Sequence, residues 1–214
     1  MRRPLPYVII ALSLIPTAAL AHTGAGSASG FFQGFAHPVG GLDHVLAMVT
    51  VGLLAWQLAR VPETWMPVFR KGHAPTQGTN GRALWLVPAA FVAAMALGGW
   101  LGIAGIALPH VEFGIALSVV VLGAIVALGI KAPLAVAMGL AGLFAVFHGH
   151  AHGAEMPHDA TGAAYAAGFL MATGLLHLSG IALGFLIAQL GRVPVRVGGG
   201  IISLAGVAIL AGVI

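Results

Sequence analysis

Six long apolar stretches constrain this chain more than any other feature of its sequence. A membrane-spanning helix needs about 20 consecutive, mostly apolar residues. Charged residues make up only 7% of the 214 residues, whereas soluble domains carry about 25%. The sequence therefore predicts an all-α integral membrane protein with six transmembrane helices. The predicted spans are residues 38–58, 83–105, 111–130, 132–150, 161–189 and 197–214.

The first 21 residues are typical of a secretory signal peptide. Arg2 and Arg3 precede an apolar run, and Ala19-Leu20-Ala21 is a small-residue cleavage pattern. We expect residues 1–21 to be a cleaved signal peptide and residues 22–214 to form one six-helix transmembrane domain. An uncleaved anchor helix is the alternative, and both place residue 22 outside the cytoplasm.

The basic residues give the predicted orientation. Seven of the nine Lys and Arg residues follow the signal peptide, and all seven fall in the first, third and fifth connections between the predicted spans. Short cytoplasmic loops carry an excess of such residues. The sequence therefore predicts a multi-pass protein of a bacterial inner membrane, with the mature N-terminus and the C-terminus in the periplasm. The residues counted are Arg60, Arg70, Lys71, Arg82, Lys131, Arg192 and Arg196.

The composition also excludes several classes of function. The chain has no cysteine, so disulfides, thiolate metal ligands and iron–sulfur clusters are excluded. It has no Gly-Lys-Ser/Thr phosphate loop and no room for a nucleotide domain, so we expect no nucleotide partner. Its basic residues act as orientation signals, and we expect the lipid bilayer, not nucleic acid, as its partner.

The stretch FAHPVGGLDHVLAM, residues 35–48, combines His37, Asp43 and His44 in an otherwise apolar region. Pro38 suits the first turn of a helix, which predicts that Asp43 and His44 lie one to two turns inside the first span. Imidazole and carboxylate together suit Ni²⁺, Co²⁺ or Zn²⁺. A buried Asp–His pair that only joins helices is the alternative for this stretch alone.

A second cluster follows where the fourth predicted span leaves the membrane. Residues 147–155 read FHGHAHGAE and contain His148, His150, His152 and Glu155. His148 and His152 share a face if the segment is helical, whereas His148 and His150 align if it is extended. The alternative is a solvated histidine-rich loop without a specific site.

Two further ionisable residues are weaker candidates. Glu112 lies in the first turn of the third predicted helix, where a carboxylate also favours the helix dipole. His177 lies near the middle of the fifth, and an ionisable group at that depth is a candidate for a transport pathway. A hydrogen bond between helices is the alternative for His177.

The two motifs, H-x5-D-H at residues 37–44 and F-H-G-x-A-H-G-x-E at residues 147–155, resemble the signatures of the HupE/UreJ membrane proteins. That family is associated with nickel supply to hydrogenases and ureases, and the resemblance covers the whole mature chain. It implies a secondary nickel permease with no permanently bound cofactor. The metal-handling residues it implies are His37, Asp43, His44, His148, His152 and Glu155, and the start of the third helix, which also looks like the family, favours Glu112. His150 and His177 stay weaker candidates for the pathway on the reasoning from the residues alone.

Two rival functions stay open at this stage. A metal-binding chaperone would hold the ion externally for a partner without transporting it. A membrane metalloenzyme would need a nucleophile, a base and a polar substrate pocket, and the sequence shows none, so we expect no enzyme. The choice between Ni²⁺ and Co²⁺, the client (hydrogenase or urease) and a homo-oligomeric state are not decided by the sequence.

Overall fold

The computed structural model describes residues 27–59, 81–156 and 160–214. The predicted signal peptide, residues 1–21, and most of the predicted first loop lie outside these ranges. Within the described ranges every regular element is an α-helix. The helices are α1 (Ser27–Gly40), α2 (Leu42–Ala59), α3 (Ala83–Ile103), α4 (Val111–Leu128), α5 (Leu134–Glu155), α6 (Ala160–Ala188) and α7 (Arg192–Leu210).

Six of these helices, α2 to α7, are long and apolar enough to cross a membrane. The prediction of an all-α, multi-pass membrane protein with six spans is therefore confirmed. The additional helix, α1, has 14 residues. At 1.5 Å per residue it is about 21 Å long, which is too short to cross a hydrocarbon core of about 30 Å.

The prediction that Pro38 begins the first span is wrong. Pro38 lies inside α1, near its end, and the chain leaves helical geometry at Gly41 before α2 begins. A proline inside a helix removes one backbone hydrogen bond and favours an ending nearby. Asp43 and His44 consequently lie in the first turn of a new helix, not one to two turns inside a continuous one.

Two other predicted boundaries shift by about one helical turn. α5 continues to Glu155, beyond the predicted end at residue 150, so the whole second motif is helical. α7 begins at Arg192, before the predicted start at residue 197. In both cases the helix includes polar residues beyond the apolar stretch from which the span was predicted.

Glycines allow the helix backbones to approach closely. Along α3 and α5, a Cβ on Gly98 would overlap the carbonyl of Val146, and one on Gly149 would overlap the carbonyl of Met95. Between α2 and α6, the space for a Cβ on Gly52 is filled by the carbonyl of His177. Small residues at helix contacts are the usual means of tight packing in membranes. These contacts fix the spacing of the helices that carry the histidines.

The described basic residues gather at one end of the bundle. Arg82 precedes α3, Lys131 lies between α4 and α5, and Arg196 lies in the second turn of α7. The Arg196 guanidinium lies against Gly129 at the end of α4. We call this end the basic end. The histidine motifs, at the start of α2 and the end of α5, lie at the opposite end.

The packing of α3 on α5 gives a stability prediction. Gly149→Ala should lower the free energy of unfolding by about 1–3 kcal/mol, because the added methyl group has no space against Met95. Gly139→Ala on the same helix is the control, since a Cβ there meets no heavy atom within 4 Å. Thermal unfolding of the purified proteins in detergent compares the two variants, and equal melting temperatures would contradict this account of the packing.

Candidate metal site

The break between α1 and α2 creates the first half of the site. The carbonyl of Gly41 accepts the first hydrogen bond of α2, from the N–H of Val45 at 3.0 Å. The Asp43 carboxylate accepts the backbone N–H of His44 at 2.8 Å. An anionic group is favoured at a helix N-terminus, where several backbone N–H groups lack partners within the helix. The break thus explains the position of a carboxylate in an apolar segment.

The same carboxylate also fixes the His44 ring. Oδ1 of Asp43 lies 2.8 Å from Nδ1 of His44, so Nδ1–H donates to the carboxylate. In neutral imidazole the other nitrogen, Nε2, then carries the free lone pair. Histidines that bind metals usually donate their second N–H in this way. His44 is therefore oriented as a metal ligand by its neighbour.

The second ring nitrogen of His44 faces the second motif. Nε2 of His44 lies 2.6 Å from Nε2 of His152 on α5, and both residues are buried. Because the motif is helical, His148 lies one turn before His152 on the same face, and its ring centroid is 5.0 Å from that of His44. The helical alternative for residues 147–155 is thus the observed one, and it joins the two motifs in one cluster.

His148 has a partner that sequence reasoning missed. Its Nε2 lies 3.0 Å from Oγ of Ser118 on α4. The Ser118 hydroxyl donates to the carbonyl of Ile115 at 2.6 Å, so it accepts from Nε2–H of His148. Nδ1 of His148 then carries the lone pair, and it has no hydrogen-bond partner within the described residues. The sequence offered one signal for this contact, which is a single serine in the apolar helix α4.

His37 and Glu155 form the outer rim of the cluster. The His37 ring centroid is 4.6 Å from that of His152, and Nε2 of His37 lies 4.0 Å from Oε2 of Glu155. Possible ligand atoms of His37, His152 and Glu155 all lie within 4.8 Å of one another. The side chains of His37 and Glu155 are 41% and 66% exposed. The cluster therefore opens to solvent at its rim and closes inward.

Three predicted residues lie outside this cluster. Nε2–H of His150 donates to the carbonyl of Ile106 at 2.7 Å, and this bond ties α5 to the connection between α3 and α4. Glu112 is exposed on the first turn of α4, and within the described part of the chain no hydrogen bond or ion pair joins it to the histidines. His177 is buried deeper in the bundle, next to Phe91.

A cavity of about 200 Å³ borders His152 between α3, α5 and α6. Its walls are mostly apolar and include Met95 and Phe169, so it does not suit a hydrated cation. It does give the His152 ring space to move.

The two facing nitrogens of His44 and His152 are nearly far enough apart to bind one ion. Two imidazole nitrogens bound at right angles to one ion, each at about 2.05 Å, are about 2.9 Å apart. The His44–His152 contact needs to open only slightly to admit an ion.

The cluster combines several imidazoles with carboxylates and, since the chain lacks cysteine, no thiolate. Imidazole suits Ni²⁺, Co²⁺ and Zn²⁺, whereas Mg²⁺ and Ca²⁺ prefer sites built from oxygen alone. The fold and the cluster define a multi-pass membrane protein with a partly buried site suited to a divalent transition metal.

Comparison with known proteins identifies the family. Residues 10–71 and 74–209 match the family described as HupE / UreJ protein, and the chain belongs to this family. Protein HupE of Rhizobium leguminosarum bv. viciae is 45% identical over 204 residues, which cover 95% of each chain. No solved structure matches. The family is associated with nickel and cobalt transport, and membership confirms the prediction that the chain is not an enzyme.

The helix break gives a prediction about metal affinity. A Cβ on Gly41 would lie 2.9 Å from both Oδ1 of Asp43 and Nδ1 of His44. Gly41→Ala should therefore displace this bonded pair and weaken Ni²⁺ binding by about 10- to 100-fold, as other changes to groups that orient a ligand do. The control is Gly40→Ala, because a Cβ there meets nothing within 4 Å. Equilibrium dialysis of purified protein against Ni²⁺ measures both affinities, and an unchanged affinity in Gly41→Ala would refute this role of Gly41.

Proposed function

We propose that this protein is a secondary permease that imports Ni²⁺, with Co²⁺ as a second cargo, from the periplasm to the cytoplasm for hydrogenase or urease. The observation that carries the proposal is the contact between His44 and His152. It joins two metal-ligand motifs between helices that are long and apolar enough to span a membrane. Ionisable groups are costly in such a position and mark ion pathways there.

The burial of the cluster favours transport over storage for a partner protein. A metal-binding chaperone needs its ligands exposed, because the recipient must reach the ion. Here His44 and His152 are 8% and 5% exposed and His148 is fully buried. Exposure falls from Glu155 at the rim through His152 to His148, which lies about two helical turns further into the bundle. That gradient suits an ion that moves inward.

The geometry supports an ordered loss of water from the ion. His37 and Glu155 are accessible from solvent, so they can replace the first water ligands. The ion then reaches Nε2 of His44, whose other nitrogen is held by Asp43. The Asp43 carboxylate also compensates part of the ion's charge. The protein holds these ligands in place, and the ion is the Lewis acid that they bind.

The orientation in the proposal follows from the charges. Because Lys and Arg are enriched in cytoplasmic loops, we expect the basic end, with Arg82, Lys131 and Arg196, to face the cytoplasm. The histidine end then faces the periplasm. Import from that side starts at the exposed rim, which is consistent with the gradient of burial.

Uptake by the purified protein tests the transport proposal. Proteoliposomes that contain the wild type should accumulate labelled Ni²⁺, and Co²⁺ should compete. His44→Ala and His152→Ala should each lower the initial rate by about tenfold or more, because each removes a ligand of a charged ion. His110→Asn is the control, since His110 is exposed, lies outside the cluster and has a left-handed backbone that asparagine tolerates. A wild type that binds Ni²⁺ without accumulating it would overturn the proposal in favour of a chaperone.

Labelling of single cysteines tests the orientation. The chain has no native cysteine, and two exposed isoleucines lie in connections at opposite ends of the bundle, Ile106 and Ile130. In intact cells without an outer membrane, Ile106→Cys should react with a membrane-impermeant maleimide, and Ile130→Cys should react only after permeabilisation. The reverse pattern would place the histidine end in the cytoplasm and exclude import through it as proposed.

A further inference from the structure

His177 is the most isolated buried polar side chain among the described residues. It lies in α6, it is 2% exposed, and neither of its ring nitrogens has a hydrogen-bond partner in that part of the chain. Thr173, one turn earlier on the same face of α6, is fully buried, and its hydroxyl also lacks a partner. Leaving buried polar groups unpaired costs free energy. Two such residues on one helix face require a reason other than stability.

Contacts place His177 inward of the histidine cluster. Its carbonyl lies against Gly52 of α2. Gly52 follows His44 by eight residues, which is about 12 Å along a helix toward the basic end. His177 therefore lies beyond the cluster on a path that runs from the rim into the bundle.

One aromatic ring connects His177 to the cluster. The Phe91 ring centroid is 5.7 Å from that of His148 and 5.1 Å from that of His177. Phe91 is fully buried on α3. A cation is attracted to an aromatic face, so Phe91, which contacts both imidazoles, does not present a purely repulsive barrier to an ion that passes from one to the other.

We propose that His177 and Thr173 form a second, inner binding station for a divalent transition-metal ion, which reaches it from His148 past the ring of Phe91. An imidazole nitrogen and a hydroxyl oxygen supply two ligands, and water completes the coordination. The inference rests on the proposed function, since an inner station has a role only if the ion crosses the bundle. It gives a role to the ring nitrogens of His177 and the hydroxyl of Thr173, which lack partners among the described residues and lie outside both the rim and the His44–His152 contact.

A structural role for His177 makes the opposite prediction about stability. A histidine that joins helices by hydrogen bonds would destabilise the protein when removed. The described residues offer His177 no such bond, so His177→Leu, which replaces the polar ring with an apolar side chain of similar size, should leave the melting temperature unchanged or raise it. The same variant should lower Ni²⁺ uptake by proteoliposomes about tenfold or more. We therefore expect His177→Leu to lower Ni²⁺ uptake without lowering the melting temperature.

Thr173 has a matched control on a neighbouring helix. Thr50 is fully buried as well, but its hydroxyl donates to the carbonyl of Leu46 within α2 at 2.5 Å. Thr173→Val and Thr50→Val make the same isosteric change. Uptake should fall in Thr173→Val and stay within about twofold of the wild type in Thr50→Val, because only the first removes an unpaired oxygen.

The deciding experiment separates this inference from the proposed function. In a background of His44→Ala and His152→Ala, purified protein in detergent should retain weak Co²⁺ binding by equilibrium dialysis, and adding His177→Leu should abolish it. Loss of this binding, with a melting temperature at or above that of the background, supports the inner station even if the wild type fails to transport. Unchanged Co²⁺ binding would overturn the inner station. So would wild-type uptake in the His177→Leu single variant, whereas absence of wild-type uptake would count only against the permease.

Discussion

A membrane offers no bulk water to a buried imidazole, and this constraint organises the histidine cluster. Each ring must find partners for its nitrogens in the protein or in an ion. Asp43 holds one nitrogen of His44 and Ser118 holds one nitrogen of His148. In both rings the second nitrogen is left with a lone pair. The hydrogen bonds thus select tautomers whose lone pairs suit a metal ion, and they hold the two rings in that orientation.

The break at Gly41 makes this arrangement possible. α1 and α2 both pack along α6, at Gly168 and at Gly180 respectively, so they follow it as one interrupted helix. A continuous helix would use the N–H of His44 for its own backbone ladder. The interruption frees that N–H for the Asp43 carboxylate and turns the pair toward α5. Transport proteins commonly place their ion sites at such discontinuous helices, where unpaired backbone groups and side chains meet.

Sequence reasoning found the helices and the two histidine motifs better than it found their connections. The spans were readable because apolar length is a local property. The helical alternative for residues 147–155 placed His148 and His152 on one face, but the extended alternative stayed open because the sequence did not show how far α5 continues. Gly41 was missed because a sequence does not show that the side chains of Asp43 and His44 occupy the space where a Cβ on Gly41 would lie. Ser118 was missed because it meets His148 only after α4 and α5 pack. His150 was grouped with its neighbours by spacing, although its ring bonds the carbonyl of Ile106.

The contrast between supported and unsupported imidazoles bears on how an ion could be released. A site must bind well enough to admit the ion and weakly enough to pass it on. His44 and His148 are each oriented by a second group, which favours tight capture. His177 lacks such support among the described residues, so binding there must also order the ring, and that entropy weakens the interaction. In the proposed transport, affinity that decreases from a supported outer cluster to an unsupported inner histidine would let the ion leave toward the basic end.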